Sequence, residues 1–206
     1  MKTLPVALVV ENKRVLVVGG GAVAARKVAA LLDAGARVTV VSPNLSADFP
    51  SPVEHLARFY EDGDCQGFAL LFAATNSSEV NRRVADEAHQ RGIFVNDASD
   101  PDRSDFHTQA VVRRGPVAIG LSTEGESPVV SAHLRREIEA AVGPEWERLF
   151  GLVRELEIPK ERRGAFWKTV LEGPVLSLLR EGNEEEARSW IERKLAPSVA
   201  SLRPPP

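Results

Sequence analysis

Residues 15–24 read VLVVGGGAVA, a run of apolar residues that leads into three consecutive glycines. Apolar runs of this kind form strands covered on both faces, and helical spacing of apolar residues begins at Ala22. Gly19, Gly21 and Ala24 fit the pattern G-x-G-x-x-A, which allows a tight turn, a close approach of a pyrophosphate and close packing of the helix on the sheet. The stretch therefore predicts a dinucleotide site at the N-terminus of a helix, rather than a plain tight turn.

Outward from this turn, apolar strand patterns alternate with helical patterns over the first two thirds of the chain. Such alternation predicts a parallel sheet with crossover helices. The predicted strands are Val15–Val18, Val38–Val41, Leu70–Ala73, Ile93–Val95 and Val117–Leu121, with a weaker candidate within Glu54–Tyr60.

Helical spacing predicts three helices in the same part of the chain, over Ala22–Ala34, Glu79–Arg91 and from Ser127-Pro128 to about Val142. The third helix has a serine cap, a first-turn proline and an apolar stripe that we expect to face inward. Its members are Val130, Leu134, Ile138 and Ala141. After Gly143 no strand pattern follows, and four short helices are predicted: Glu145–Leu156, Glu161–Leu171, Val175–Arg180 and Glu184–Leu195.

The composition excludes several classes of protein. A single cysteine among 206 residues excludes an intramolecular disulfide and any multi-cysteine metal site. The four histidines are scattered, so the sequence predicts no resident metal site. A net charge of −3 argues against nucleic-acid binding. Since there is neither a run of about 18 apolar residues nor a signal-peptide pattern, we expect a cytoplasmic protein without a membrane segment.

The end of the second predicted strand bears on the choice of cofactor. It reads Val41-Ser42-Pro43-Asn44, where a carboxylate for the ribose would be usual. Ser42, Asn44 or backbone groups could bind the ribose hydroxyls instead, and no arginine follows closely to hold a 2′-phosphate. NAD is therefore favoured over NADP, although Pro43 and Asn44 fit a simple turn equally well.

Polar residues also follow two other predicted strands. They read Thr75-Asn76 and Asn96-Asp97-Ala98-Ser99-Asp100. Because ligands of parallel sheets bind beyond the carboxyl ends of the strands, Thr75 and Asn96 could line a cofactor or a substrate, or could only satisfy loop backbone groups. Asp97 and Asp100 are both eligible to transfer a proton there.

Taken together in order, these motifs resemble a known family. The matching blocks are LPV at 4–6, VVGGGAVAARK at 17–27, LDAGA at 32–36, AATN at 73–76 with VN at 80–81, VN at 95–96 through DP at 100–101 and Phe106, ST at 122–123 with SP at 127–128, and RRGAFW at 162–167. They are similar to precorrin-2 dehydrogenase/sirohydrochlorin ferrochelatase, the first module of siroheme synthase.

The resemblance implies an NAD-dependent oxidation of the tetrapyrrole precorrin-2 to sirohydrochlorin. In many members, insertion of Fe²⁺ follows in the same cleft, and the family forms homodimers. The expected fold is α/β, a Rossmann-like parallel sheet followed by a dimerisation segment and a small all-α C-terminal domain. The expected boundaries are 1–114 for the NAD-binding domain, 115–150 for the dimerisation segment and 151–206 for the helical domain.

The resemblance also implies roles for individual residues. The family's key aspartate falls on Asp100, which we expect to be the catalytic base. A phosphorylatable residue of the family falls on Thr123. The family's cofactor contacts fall on Ala22, Val23, Pro43 and Asn44. The residue patterns add Gly19, Gly21, Ser42 and Thr75 as expected cofactor contacts. The expected substrate contacts are Asn96, His107, Thr123 and Ser127, and residue type makes Arg113, Arg114, Arg135 and Arg136 candidates for the substrate carboxylates.

Three departures from the family pattern bear on substrate handling. Glu124 and Glu126 replace small neutral residues, Gln109 replaces a common proline, and Asp97-Ala98 replaces an apolar pair. Two alternatives therefore stay open at this point. One is a non-catalytic NAD-binding module that senses redox state, and the other is a dehydrogenase without chelatase activity.

Overall fold

The computed structural model describes residues 2–195 and contains a central sheet of five parallel strands. The spatial order of the strands is β3-β2-β1-β4-β5. The strands are β1 (Arg14–Val18), β2 (Arg37–Val41), β3 (Glu54–Leu56), β4 (Leu70–Ala73) and β5 (Phe94–Asp97), and the helices between them are α1 (Ala22–Asp33) and α2 (Ser78–Gln90).

The sheet is covered on both faces, which explains why its strands are continuously apolar. Val17 of β1 lies between Val40 and Phe72 in the register of the sheet and packs on the same side as Val28 of α1. Leu16 faces the opposite way and packs with Val84 of α2. Each such buried side chain contributes about 1.5–3 kcal/mol relative to an exposed one.

The strand order reverses next to β1. From β1 the chain moves outward to β2 and β3, then crosses to the other side of β1 and continues outward through β4 and β5. In open parallel sheets, ligands bind at this switch point, in the crevice beyond the carboxyl ends of the strands. The predicted Rossmann-like sheet is confirmed, and its crevice lies beyond the ends of β1 and β4.

The chain divides into two compact units, Thr3–Thr108 and a second unit from Gln109 onward. The second unit begins with an antiparallel hairpin of β6 (Ala110–Arg114) and β7 (Val117–Leu121) and continues into α3 (Pro128–Ala141). The prediction that Val117–Leu121 belongs to the parallel sheet was wrong, and β6 was not predicted. Exposure alternates along β7, but alanine and glycine occupy its exposed positions, so the strand reads as a fully apolar run.

The predicted inward stripe of α3 is not buried. None of the residues of α3 is buried within the chain, and Val130 is 47% exposed. The hairpin contacts the C-terminal end of α3 through Arg114 of β6. This arginine donates hydrogen bonds to the carbonyl oxygens of Val142 at 2.9 Å and Glu139 at 3.2 Å. Such bonds satisfy carbonyl groups that the last turn of a helix leaves open.

The remainder of the second unit is helical, as the sequence predicts. Its helices α4 (Glu145–Arg154), α5 (Arg163–Glu172), α6 (Val175–Arg180) and α7 (Glu184–Leu195) surround a core of fully buried residues that includes Leu149, Val170, Leu179 and Ile191. Residues 196–206 of the predicted helical domain lie outside the described residues. Within residues 2–195, no helix combines the length and the apolar character needed to cross a membrane.

Candidate functional site

The glycine turn after β1 is packed against two neighbouring loops. Gly19 has a φ of +125°, and a Cβ there would clash with the carbonyl oxygen of Ala74 at the end of β4. A Cβ on Gly20 would clash with the carbonyl oxygen of Asn44 and lie 2.7 Å from Ser42 Oγ. Both positions need glycine so that the loops after β1, β2 and β4 can meet.

Gly21 differs, because a Cβ at this position would meet nothing within 4 Å. It is the N-cap of α1, without a side-chain cap and without an acidic residue in the first turn of the helix. Ala22 and Val23 are exposed, whereas Ala24 is buried against the sheet. The free N–H groups, the positive helix end and the open space in front of them fit a phosphate group, and so fit the expected dinucleotide.

The loop after β2 presents two of its three predicted cofactor residues. The hydroxyl of Ser42 donates to the carbonyl oxygen of Asn44 at 2.7 Å, and His55 Nε2 donates to the carbonyl oxygen of Ser42 at 2.8 Å. Ser42 is buried, while Pro43 and Asn44 are exposed. The hydroxyl of Ser42 therefore shapes the loop, and Pro43 and Asn44 provide the accessible surface beside the glycine turn.

Asn81 of α2 connects the loops after β4 and β5, a role that the sequence did not predict. It is fully buried. Its Oδ1 accepts from the backbone N of Thr75 at 3.0 Å and lies 2.7 Å from the hydroxyl of Thr75. Its Nδ2 donates to the carbonyl oxygen of Thr75 at 3.2 Å and to Ser99 Oγ at 3.1 Å. The sequence signal that could have revealed this role is an asparagine on the apolar face of a helix, since a buried amide requires hydrogen-bond partners.

Asn96, an expected substrate contact, lies inside the first unit. Its side chain accepts from Lys27 Nζ at 2.7 Å and donates to the carbonyl oxygen of Phe106 at 3.0 Å. Burial, and then the neighbouring charge of Arg26, lower the pKa of Lys27. The amide of Asn96 is thus occupied by the fold, and the residue does not line the cavity at the end of β5.

The two aspartates beyond β5 have different surroundings. Asp97 is 3% exposed, and its Oδ1 accepts from the backbone N and the hydroxyl of Ser99 at 2.8 and 2.6 Å, while Oδ2 has no partner. Asp100 is half-buried; its Oδ1 accepts from the backbone N of Asp102 at 3.0 Å, and its Oδ2 lies 3.4 Å from Arg103 Nε. Both aspartates line a cavity of about 380 Å³ together with Ser78, Glu79, Arg82, Ser99 and Arg103.

The other expected substrate residues lie elsewhere. His107 belongs to the first unit but does not line this cavity. Thr123 and Ser127 belong to the second unit, where Ser127 caps α3 and Thr123 Oγ1 lies 3.0 Å from Ser131 Oγ. Within residues 2–195, no group of three or more histidine, cysteine, aspartate and glutamate side chains is placed to hold a metal ion.

Three family models match the chain in sequence order. Residues 6–110 match a model described as "Putative NAD(P)-binding", residues 114–141 match "Sirohaem biosynthesis protein central", and residues 151–195 match "Sirohaem synthase dimerisation region". The first of these models covers just over half of the chain.

Curated relatives agree with these models. The siroheme synthase of Thioalkalivibrio sulfidiphilus is 39% identical over 207 residues, which cover 95% of this chain and 42% of the relative. The siroheme synthase of Azotobacter vinelandii is 36% identical over 208 residues, covering 95% of this chain and 45% of the relative. The chain thus spans less than half the length of these relatives.

A solved structure has the same fold. "SirC, precorrin-2 dehydrogenase" superposes with a TM-score of 0.72 at 24% identity, over 93% of this chain and 100% of that one. Because the "Putative NAD(P)-binding" model covers more than half of the chain, the chain belongs to that family, and the two sirohaem models match the residues that follow it.

Proposed function

We propose that this protein is an NAD-dependent dehydrogenase that oxidises precorrin-2 to sirohydrochlorin. The observation that carries the proposal is the pairing of two features at one edge of the sheet. These are the open, uncapped N-terminus of α1 at Gly21 and the cavity lined by Asp97 and Asp100 beyond β5. The siroheme synthases among the relatives and the fold shared with SirC support the choice of substrate.

In this proposal the cofactor is held at the edge formed by the loops after β1, β2 and β4. The backbone around Gly19, Gly21, Ala22 and Val23 binds the pyrophosphate, and the exposed Pro43 and Asn44 border the ribose. Thr75 shapes the neighbouring loop through its bonds to Asn81. NAD is preferred over NADP because residues 42–46, SPNLS, supply no cation for a 2′-phosphate.

Asp100 is the proposed base. When bound, NAD would supply the acceptor for a hydride, which carries both electrons of the broken C–H bond. The carboxylate of Asp100 would accept the proton, so both hydrogens of the dehydrogenation are accounted for. The carboxylate of Asp100 is partly exposed, and its closest cation is Arg103 at 3.4 Å, so it can be approached by a substrate in the cavity. His107, Thr123 and Ser127 stay candidates for substrate contact. Asn96 has a structural role, because its side chain is bonded to Lys27 and to the backbone of Phe106.

Insertion of Fe²⁺ is a proposed extension of the same chemistry. The macrocycle supplies its own nitrogen ligands, so the reaction needs only a group that accepts the protons displaced from them. A carboxylate such as Asp100 is suited to that task. The metal ion in this proposal is a substrate and passes directly into the macrocycle.

We also propose that the protein acts as a homodimer. The match of residues 151–195 to a dimerisation-region model supports this assembly. The α3 helix, which lies within residues 115–150, adds a second argument, since its Val129 and Val130 are 77% and 47% exposed. Exposed apolar side chains next to each other on one helix are typical of a surface that a partner covers.

An anaerobic absorbance assay tests the function. The purified protein is mixed with precorrin-2 and NAD, and then with Fe²⁺, while the tetrapyrrole and NADH absorbance are followed. Formation of sirohydrochlorin with matching NADH is expected, and siroheme follows if the chelatase proposal holds. If precorrin-2 stays unchanged while NAD binds, the protein is a non-catalytic NAD-binding module and the proposed function is wrong.

A further inference from the structure

One buried oxygen at the end of β5 lacks a partner. Among the side chains of residues 2–195, Oδ2 of Asp97 is the buried polar atom without a hydrogen bond. Buried polar atoms are almost always paired, and leaving a charged one unpaired is costly. The other oxygen is fixed by a chain of donors, since Asn81 donates to Ser99 Oγ and Ser99 donates to Asp97 Oδ1. The fold therefore imposes the orientation that leaves Oδ2 without a partner.

The residues around this oxygen do not supply the missing donor. Arg103, which lines the same cavity, is committed to Asp86 at 2.7 Å and to Asp100 at 3.4 Å. The hydroxyl of Ser99 is already committed to Oδ1. Within the described residues, no group donates a hydrogen bond to Oδ2.

The same cavity holds an arginine that is available for an anion. Arg82 of α2 is exposed and lines the cavity, and within the described part of the chain it has neither a hydrogen bond nor an ion pair. Its neighbour Arg83 is engaged, at 3.1 Å from Asp62 and 2.6 Å from the carbonyl oxygen of Tyr60. Arg82 lies one turn beyond Glu79 of the same 13-residue helix, and Glu79 also lines the cavity.

We propose that this cavity is a substrate subsite that takes one pyrrole-type ring of the tetrapyrrole. Asp97 Oδ2 accepts the ring N–H, and Arg82 binds an acidic side chain of that ring. This inference rests on the proposed function. Ring N–H groups are the donors of such a substrate, whereas its carboxylates would be repelled by Asp97. Because Oδ2 is buried in the free chain, the short turn that follows Asp97 must shift when the ring enters.

Two substitutions separate this role from a structural one. Asp97→Asn keeps an oxygen for the bonds from Ser99 and replaces the unpaired oxygen by an NH₂ group, which cannot accept from the ring. Arg82→Gln removes the cation from the cavity. Asp33→Asn, in the last turn of α1, and the exposed Arg193→Gln of α7 are matched controls away from the cavity.

The measurements are anaerobic titration with sirohydrochlorin, steady-state oxidation of precorrin-2, NAD titration and thermal unfolding. We expect each cavity variant to bind sirohydrochlorin about tenfold more weakly and to raise KM by about the same factor, since a charge-assisted hydrogen bond is lost. Affinity for NAD stays at the wild-type value. Asp97→Asn is expected to unfold close to the wild-type temperature, because it keeps the oxygen that accepts from the backbone N and the hydroxyl of Ser99.

The subsite proposal is overturned if both cavity variants bind sirohydrochlorin with the wild-type affinity. A lower unfolding temperature of Asp97→Asn with unchanged affinity also overturns it and assigns Asp97 a structural role. If wild-type protein binds NAD but neither binds sirohydrochlorin nor oxidises precorrin-2, the proposed function fails and the subsite fails with it. The behaviour of the wild-type protein therefore distinguishes the two failures.

Discussion

Lys27 of α1 donates a hydrogen bond from Nζ to Oδ1 of Asn96 in β5 at 2.7 Å. The contact joins the helix whose N-terminus forms the glycine turn to the strand that carries the acidic residues of the cavity. Lys27 Nζ also lies 5.1 Å from the ring centroid of Phe72 in β4, on the same side of the sheet. One partly buried cation thus links the helix at the cofactor edge of the first unit to the strand at its acidic edge.

Replacing this cation should destabilise the fold. Lys27→Met leaves Oδ1 of Asn96 buried without a donor, and we expect the free energy of unfolding to fall by about 1–3 kcal/mol. Urea unfolding followed by circular dichroism measures the change. Arg26→Met, on the exposed side of the same helix, is the control and should stay within about 0.5 kcal/mol of wild type. Equal effects of the two substitutions would contradict this account of Lys27.

Two glycines of the same turn should respond in opposite ways to substitution by alanine. Gly21→Ala is expected to fold like wild type, because its Cβ meets nothing within 4 Å, but to bind NAD at least tenfold more weakly because the methyl group fills the space in front of α1. Gly19→Ala is expected to unfold at a lower temperature, since its φ of +125° and the carbonyl oxygen of Ala74 exclude a Cβ. Calorimetric titration with NAD and thermal unfolding check both. Full NAD affinity in folded Gly21→Ala would refute the cofactor site.

Removal of the proposed base should affect the rate rather than cofactor binding. We expect Asp100→Asn to lower kcat for precorrin-2 oxidation by about 100-fold or more and to leave NAD affinity unchanged, because the proton loses its acceptor. Asp102→Asn, an exposed residue of the same turn, serves as the control. NADH formation under anaerobic conditions is the measurement. Full turnover by Asp100→Asn would show that another group accepts the proton.

The largely buried carboxylate of Glu87 should make the free energy of unfolding depend on pH in the acidic range. Burial acts to raise the pKa of Glu87, but hydrogen bonds from Tyr60, Cys65 and the backbone N of Gly63 outweigh it and hold the pKa below the ordinary value of 4.5. A lowered pKa in the folded state contributes stability that is present above pH 4.5 and is lost as the pH falls below it.

Urea unfolding between pH 6 and pH 3 tests this dependence. The free energy of unfolding should fall across this range in wild type and less steeply in Glu87→Gln, whereas the exposed Glu185→Gln keeps the wild-type slope. An unchanged slope in Glu87→Gln would exclude Glu87 as a source of the pH dependence.

Exposed apolar residues of the second unit allow the dimer interface to be located. Val129→Glu on α3 should convert the proposed homodimer to a monomer, measured by light scattering after gel filtration, because a charge would be buried in the interface. Leu171→Glu on α5 is the comparison, since Leu171 is 47% exposed within the segment that matches the dimerisation-region model. If only Leu171→Glu dissociates the dimer, the interface lies within residues 151–195 and not on α3.

Much of the first unit could be predicted from the sequence because its signals are local. A continuous apolar run marks the strand before Gly19, a helical stripe marks the helix after Gly21, and both elements occur where expected. The hairpin could not be recognised in the same way. Two arginines at the end of β6 interrupt its apolar pattern, and alanine and glycine on the exposed side of β7 make a half-exposed strand look buried.

The candidate site was harder to predict, because the type of a residue does not show which groups its side chain contacts in the fold. Asn96 and Asp97 are adjacent polar residues at a strand end, so the sequence alone treats both as possible ligand contacts. In the structure they face opposite sides of the sheet, and only Asp97 lines the cavity. The alternation of side chains along a strand decides between them, and this decision needs the register of the sheet.

The buried amide of Asn81 has a consequence for motion. It is bonded at once to the loop after β4, through Thr75, and to the loop after β5, through Ser99. Since the same side chain is hydrogen-bonded to both loops, a displacement of one loop is expected to disturb the bonds to the other. We therefore expect a ligand that reorders the acidic turn to shift the loop after β4, at the neighbouring edge of the cofactor crevice.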